Sequence, residues 1–270
     1  MSTPSHIFVI PYRDREAQRV EFIKHMPEIL AADNTISSYQ IWIIHQCDTR
    51  LFNRGALLNI GFRLAQSRYP DAWQNIQFVF HDIDIMPLKP NVISYSTEHG
   101  KARHPYGDPR PLWGGILGCF CIMFGADYAK VGGSPNYFGW GGEDVALSRR
   151  CQAHGIVIDE HDFILRRSCP EDIRDPESNP TPKQQAMCQA CDKKNLTQVF
   201  NENPLSATNT CFALNYRILN EIELGVSGTA ETERRECMSN WDYCSSVGVP
   251  IYRIHHGIKQ FDCAFEVTGW

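Results

Sequence analysis

The chain has no run of basic residues, no apolar stretch long enough to span a bilayer and no internal repeat. Each absence excludes something. With 26 Lys and Arg against 31 Asp and Glu, the net charge is −5, and the basic footprint of a nucleic-acid-binding protein is missing. No Lys or Arg cluster offers a grip on an anionic membrane surface. The N-terminus, Met1-Ser2-Thr3-Pro4-Ser5-His6, lacks the basic and apolar regions of a secretion signal. The first apolar run, Ile7 to Ile10, is too short to cross a membrane. A soluble, cytoplasmic chain without a membrane segment is the expectation from these features.

What is present is enough for a substantial core. Of 270 residues, 43% are hydrophobic and 11% aromatic, which fits one large domain or a domain with a small appendage. Cysteine is abundant, at 11 residues. Without a secretion signal the default is reduced thiols. Cys188 and Cys191 form a single CxxC, with Cys169, Cys211, Cys237 and Cys244 around it. One such pair without a second at ribbon spacing is a weak zinc signal. The composition divides the chain into a core of residues 1–167, a Pro-, Asn- and Cys-rich insertion or subdomain at 168–211, and a C-terminal part at 212–270 that completes the core.

The first 160 residues alternate between strand and helix patterns. Ile7 to Ile10, Tyr39 to Ile44 and Ile76 to Phe80 are short apolar runs of the kind buried on both faces of a sheet. Between them, residues 15–32 place Val20, Phe22, Ile23, Met26, Ile29 and Leu30 at helical spacing. Residues 53–67 do the same with Leu57, Leu58, Gly61, Phe62 and Ala65. Residues 97–113 read as a loop, 116–124 as a strand and 144–154 as a helix ended by Gly155, followed by a strand at 156–158. Residues 212–224 fit a strand or a helix, and 249–254 a late strand. The pattern predicts an α/β fold, Rossmann-like, with a mostly parallel central sheet and helices on both faces. Ligands of such sheets bind beyond the carboxyl ends of the strands.

Chemistry-bearing residues gather at those ends. Phe80-His81-Asp82-Ile83-Asp84 sets two carboxylates after a strand, where both can approach one site and hold Mg2+ or Mn2+ against a diphosphate. Taken alone, an Asp-x-Asp also fits a solvated turn. Pro11-Tyr12-Arg13-Asp14-Arg15 offers an aromatic ring for a uracil base and arginines for phosphates, and Phe52-Asn53-Arg54 offers the same pair. Gly139-Trp140-Gly141-Gly142-Glu143-Asp144 supplies an apolar face for a sugar ring, backbone that a ligand can approach closely, and a carboxylate to take a proton from a hydroxyl. Together these motifs suggest a metal-dependent sugar transferase.

In order along the chain, Ile10 to Arg15, Phe52 to Phe62, Phe80 to Pro87, Gly114-Gly115-Ile116 and Gly139 to Asp144 resemble the β-1,4-galactosyltransferase family and the related chondroitin N-acetylgalactosaminyltransferases. The resemblance covers roughly residues 7–165. It implies a GT-A fold, a UDP-sugar donor, Mn2+ and inversion at the anomeric carbon. By motif position, Pro11, Tyr12, Arg13, Arg15, Phe52 and Arg54 would hold UDP. Asp82 would lie near the ribose and Asp84 would ligate the metal. Gly114, Gly115 and Trp140 would shape the sugar pocket, Glu143 would contact the donor sugar, and Asp144 would be the catalytic base.

The chain departs from the family at two places. Many members carry a second aspartate after the base, and here the residue is Val145, closer to the chondroitin-type enzymes. The acceptor, a glycan or glycoside, is thereby left open, as is the choice of galactose or N-acetylgalactosamine in the donor. Members also supply a histidine ligand after the carboxylate motif, but here the stretch reads Phe163 to Ser168, and His161 is misplaced. His255 and His256 are the candidates to complete the metal site. The competing readings are a catalytically inactive UDP-sugar or carbohydrate-binding protein of the same fold, and a nucleotide-sugar hydrolase.

Overall fold

A computed structural model describes residues 3–107, 117–136, 138–139, 142–165, 173–174, 214–224 and 258–267. The elements run β1 (His6–Tyr12), α1 (Glu16–Ala31), β2 (Tyr39–Gln46), α2 (Arg54–Arg68), a 3-10 turn (Trp73–Asn75), β3 (Gln77–His81), β4 (Met86–Pro87), β5 (Lys101–Arg103), β6 (Tyr106–Gly107) and β7 (Phe120–Phe124). They continue with α3 (Gly125–Lys130), α4 (Glu143–Ala153), β8 (Val157–Asp159), β9 (Ile164–Leu165), β10 (Ile173–Arg174), β11 (Leu214–Glu223) and β12 (Ile258–Val267). Eight strands form the main sheet in the order β11-β12-β2-β1-β3-β7-β5-β8.

The centre of this sheet is parallel. β1 pairs in parallel with β2 and β3, and β12 pairs in parallel with β2. The pairs β3–β7, β5–β7 and β11–β12 are antiparallel. Alternate residues of each strand point to opposite faces, so each face receives its own core. Ile7, Val9, Trp42, Ile44, Phe78 and Phe80 face α2, α3 and α4, while Phe8, Ile10, Ile41, Ile43 and Val79 face α1. Every residue of β1 is buried, as a strand covered on both sides requires. The fold is the expected α/β arrangement with helices on both faces.

Several local expectations change. Val20 is 56% exposed and does not belong to the apolar stripe of α1, which is made by Phe22, Met26, Ile29 and Leu30. The stretch read as a loop from residue 97 contains β5 and β6, short strands that periodicity cannot register. The alternative at 212–224 resolves as a strand, β11. Residues 249–254, expected as a late strand, lie outside the described residues; a strand not anticipated, β12, enters beside β2. Its polar composition, with Lys259, Gln260 and Asp262, hid it from a search for apolar runs. The cysteine-rich stretch is also outside the described residues, apart from β10.

Gly61 lets α2 lie close on the sheet. A Cβ at this position would stand 2.4 Å from Val9 Cγ1 and 3.3 Å from Ile44 Cγ1. Alanine in a helix interior gains up to about 1 kcal/mol over glycine, but overpacking a core costs about 1–3 kcal/mol. Val9 sits on the central strand and has little room to yield. Gly61→Ala should therefore lower the urea midpoint at unchanged m-value, and an increase in stability would contradict this close approach.

Candidate active site

The site is assembled where β1 and β3 end and α2 and α4 begin. Past β1, Asp14 adopts φ 54° between Arg13 and Arg15, which take different partners. The Arg13 guanidinium lies 5.6 Å from the Phe52 ring centroid and donates to the Arg50 carbonyl. Arg15 Nη1 stands 3.4 Å from Asp84 Oδ2. The Tyr12 hydroxyl donates to Glu16 Oε2 at 2.9 Å, and burial, aided by Glu16, pushes it up to about 12. Five of the predicted residues, Tyr12, Arg13, Arg15, Phe52 and Asp84, are thus grouped at neighbouring strand and helix ends, next to Pro11 on β1.

Arg54, the first residue of α2, donates from Nε to Asp82 Oδ1 at 2.7 Å. This ion pair ties the helix to the end of β3. The Asp82 amide in turn donates to the Cys119 carbonyl at 3.0 Å, and His81 Nδ1 lies 2.6 Å from the Asp82 carbonyl. Burial drives the His81 pKa down to about 3, so its ring is neutral and packs edge-on against Phe120 at 3.9 Å. Burial alone would weaken the charge of Arg54, yet Asp82, Glu143 and Asp144 outweigh it and fix the cation. Among the described residues, Arg54 Nη2 is buried without an acceptor. An oxygen-rich anionic ligand would satisfy it.

Glu143 and Asp144 open α4, whose N-cap is Gly142 at φ 89°. Such a conformation is open to glycine at little cost and strained for other residues. The Asp144 carboxylate accepts the Val145 amide at 3.0 Å. Desolvation, then the Asp144 charge, pushes Glu143 up to about 7 against the pull of Arg54. Desolvation also raises Asp144, while Arg54 and the Val145 amide oppose it. An elevated carboxylate is a stronger base at neutral pH, which suits proton abstraction. Val145 is 7% exposed and turned into the protein, so this position offers no polar group to an acceptor.

What seats α4 was not visible in the motifs. Asn59, fully buried on α2, donates to Ser134 O and Asn136 Oδ1, both at 2.7 Å, and accepts from Tyr128 Oη and the Ser134 amide. The Gly139 amide donates to the Phe52 carbonyl at 2.9 Å. A Cβ on Gly55 would stand 1.9 Å from the Pro135 oxygen. These contacts clamp the segment before α4 onto the start of α2. A polar residue within an otherwise apolar helical stretch was the only sequence signal for Asn59.

Gly114, Gly115, Trp140, His255 and His256 lie outside the described residues. Among the described residues, Asp84 belongs to no group of three or more metal-ligating side chains. One carboxylate beside an arginine still fits a hard cation that takes its other oxygens from a diphosphate and water.

The fold and this site define a GT-A glycosyltransferase architecture. A crystal structure of a Drosophila β-1,4-galactosyltransferase 7 variant with manganese, UDP-galactose and xylobiose superposes with a TM-score of 0.69 at 18% identity, covering 98% of this chain and 95% of that one. Residues 2–96 match the N-terminal region of glycosyl transferase group 7, and residues 100–170 match the N-terminal domain of galactosyltransferase. Human β-1,4-galactosyltransferase 4 is 32% identical over 155 residues, 56% of this chain and 43% of that protein. The Caenorhabditis elegans xylosylprotein 4-beta-galactosyltransferase is 34% identical over 140 residues, 50% of this chain and 46% of that protein. The chain belongs to the β-1,4-galactosyltransferase family.

The matched part spans less than half the length of these curated relatives. The cytoplasmic expectation is corrected by them, because they are Golgi-resident enzymes. It rested on the absence of a leader, and the start of a chain that matches only part of its relatives is no guide to compartment. No helix among the described residues is long and apolar enough to cross a membrane.

The raised Glu143 pKa has a consequence for stability. The folded chain holds this proton up to about pH 7, whereas the unfolded carboxyl releases it near 4.5. Protonation thus favours the folded state, and this contribution is lost as pH rises from about 4.5 to about 7. The difference in urea midpoint between Glu143→Gln and the parent should move in favour of Glu143→Gln across that window. A difference independent of pH would show that Glu143 ionises normally.

Proposed function

We propose that the chain is an inverting, Mn2+-dependent glycosyltransferase that moves galactose or N-acetylgalactosamine from a UDP-sugar to a hydroxyl of a glycan or glycoside acceptor. The observation that carries this reading is the Arg54–Asp82 pair beside the electrostatically linked carboxylates of Glu143 and Asp144, with the Arg15–Asp84 pair two residues beyond Asp82. Arg13 over the Phe52 ring, with Tyr12 preceding it at the end of β1, offers an aromatic and cationic pair suited to the uridine end of the donor. Bound Mn2+, held by Asp84, would neutralise charge developing on the departing diphosphate. Arg15, now paired with Asp84, would then be released to the phosphates. The unfilled donor of Arg54 faces the need for a ligand oxygen, and Asp82 orients it. Glu143 would hold the donor sugar, with Gly114, Gly115 and Trp140 lining its pocket. Asp144, raised by burial, would take the acceptor proton as the hydroxyl attacks the anomeric carbon. His255 and His256 are the sequence candidates for further metal ligands.

The relatives favour galactose in the donor: the superposed Drosophila structure contains UDP-galactose. Its xylobiose, together with the xylosylprotein activity named for the nematode relative, makes a β-xyloside the first acceptor to try. Val145, buried and apolar, motivates the inactive alternative, because it removes a polar acceptor contact.

Release of UDP from UDP-galactose and UDP-N-acetylgalactosamine should require Mn2+, stop with EDTA and rise with one acceptor. Asp144→Asn should reduce transfer by at least about 100-fold while leaving UDP binding intact. Asp84→Asn should weaken UDP binding at least about tenfold with Mn2+ present and little with EDTA. Transfer at the parent rate by Asp144→Asn would remove it as the base. Metal-dependent UDP binding without release in any pairing would establish the inactive alternative.

A further inference from the structure

Away from the Asp84 carboxylate, three dissimilar ligand side chains converge on the neighbouring strand ends. His45 is the penultimate residue of β2, Cys47 follows that strand, and Asp262 is the register partner of His45 on β12. His45 Nδ1 lies 2.9 Å from Asp262 Oδ1 and 3.6 Å from Cys47 Sγ. One ligand atom from each residue falls within 4.8 Å of the other two. A tetrahedral zinc ion with bonds of about 2.0–2.3 Å separates its ligand atoms by roughly 3.3–3.6 Å, so small side-chain adjustments suffice.

The arrangement is not a nucleophile relay. A Cys-His-Asp relay uses opposite ring nitrogens, one for the thiol and one for the carboxylate. Here both partners approach the same nitrogen, Nδ1, which is the pattern of ligands around a common centre. The surroundings support the ligands. Gln260 Nε2 donates to Asp262 Oδ1 at 2.7 Å and Asn220 Nδ2 to Asp262 Oδ2 at 3.2 Å. The Cys47 amide donates to the Cys263 carbonyl at 3.3 Å, and the Tyr12 ring packs on His45 at 4.9 Å. Such outer contacts fix ligand orientation. Cys47 is exposed, leaving one side open for a water or an added ligand.

We propose that His45, Cys47 and Asp262 form a zinc-binding site separate from the donor metal site. A thiolate and an imidazole favour zinc, whereas a lone carboxylate with phosphates favours Mn2+, so the two sites select different ions. β1 separates β2 from β3, which puts the two strand ends roughly 10 Å apart. Zinc here would pin β12, late in the chain, to β2.

The metal-free chain of residues 1–270 is titrated with Co2+, read by the thiolate charge-transfer band, and with Zn2+, read as bound ions per chain. The CxxC cysteines are covered by a Cys188→Ser control. Expected is a loss of one ion per chain and of one band component in Cys47→Ser, at least about tenfold weaker binding in His45→Ala, and retention of the Cys47-dependent signal in Cys188→Ser. Zn2+ should also slow iodoacetamide labelling of Cys47, followed by mass spectrometry. Equal stoichiometry and spectra in the parent and Cys47→Ser, with labelling indifferent to Zn2+, would overturn the site.

Discussion

The Arg54–Asp82 ion pair is the interaction on which the site depends. It joins the first residue of α2 to the end of β3, and its positive charge stabilises the ionised forms of Glu143 and Asp144 at the start of α4. Three elements that are distant in sequence thereby share one electrostatic centre. A partly buried pair of this kind is weak evidence for stability, because desolvation offsets much of the attraction. Its value lies in position. Without the guanidinium, three carboxylates would face one another in a partly dry pocket, and protonation would relieve the repulsion at the expense of a usable base.

Rigid packing holds that centre in place. Gly61 allows α2 to settle on Val9, and Gly55 allows its first turn to meet the Pro135 carbonyl. Asn59 then satisfies four hydrogen bonds that lock the approach to α4. Each backbone group so used is buried and would be costly to leave unpaired. The helix therefore acts as the reference element: one side reads the sheet, its start carries the cation, and its middle anchors the loop that presents Glu143 and Asp144.

The sheet's parallel centre and the carboxyl-end gathering of Tyr12, Arg13, Arg15, Asp82 and Asp84 were legible because buried strands leave continuous apolar runs with polar motifs at their ends. The contribution of Asn59 was not, since its partners at residues 128–136 become neighbours only through folding. β12 escaped for another reason: Lys259, Gln260 and Asp262 interrupt the apolar pattern, and their side chains find partners at Glu221, Arg19 and His45. The His45, Cys47 and Asp262 cluster was invisible in the same way, being separated by more than two hundred residues. Val20 shows the converse error, an apolar residue at a plausible spacing that faces water. The compartment was not legible in the residues at the start of a chain that matches only part of its relatives.

The central claim is that the strand ends hold a diphosphate and a hard cation together, with Asp84 as the protein's carboxylate ligand. Crystals grown with Mn2+ and UDP, measured at the manganese absorption edge, locate the ion directly. The account predicts an anomalous peak bound to both Asp84 and the diphosphate, with Arg15 moved from Asp84 towards the phosphates. Manganese bound elsewhere, or UDP seated away from Arg13, Arg15 and Arg54, would contradict it.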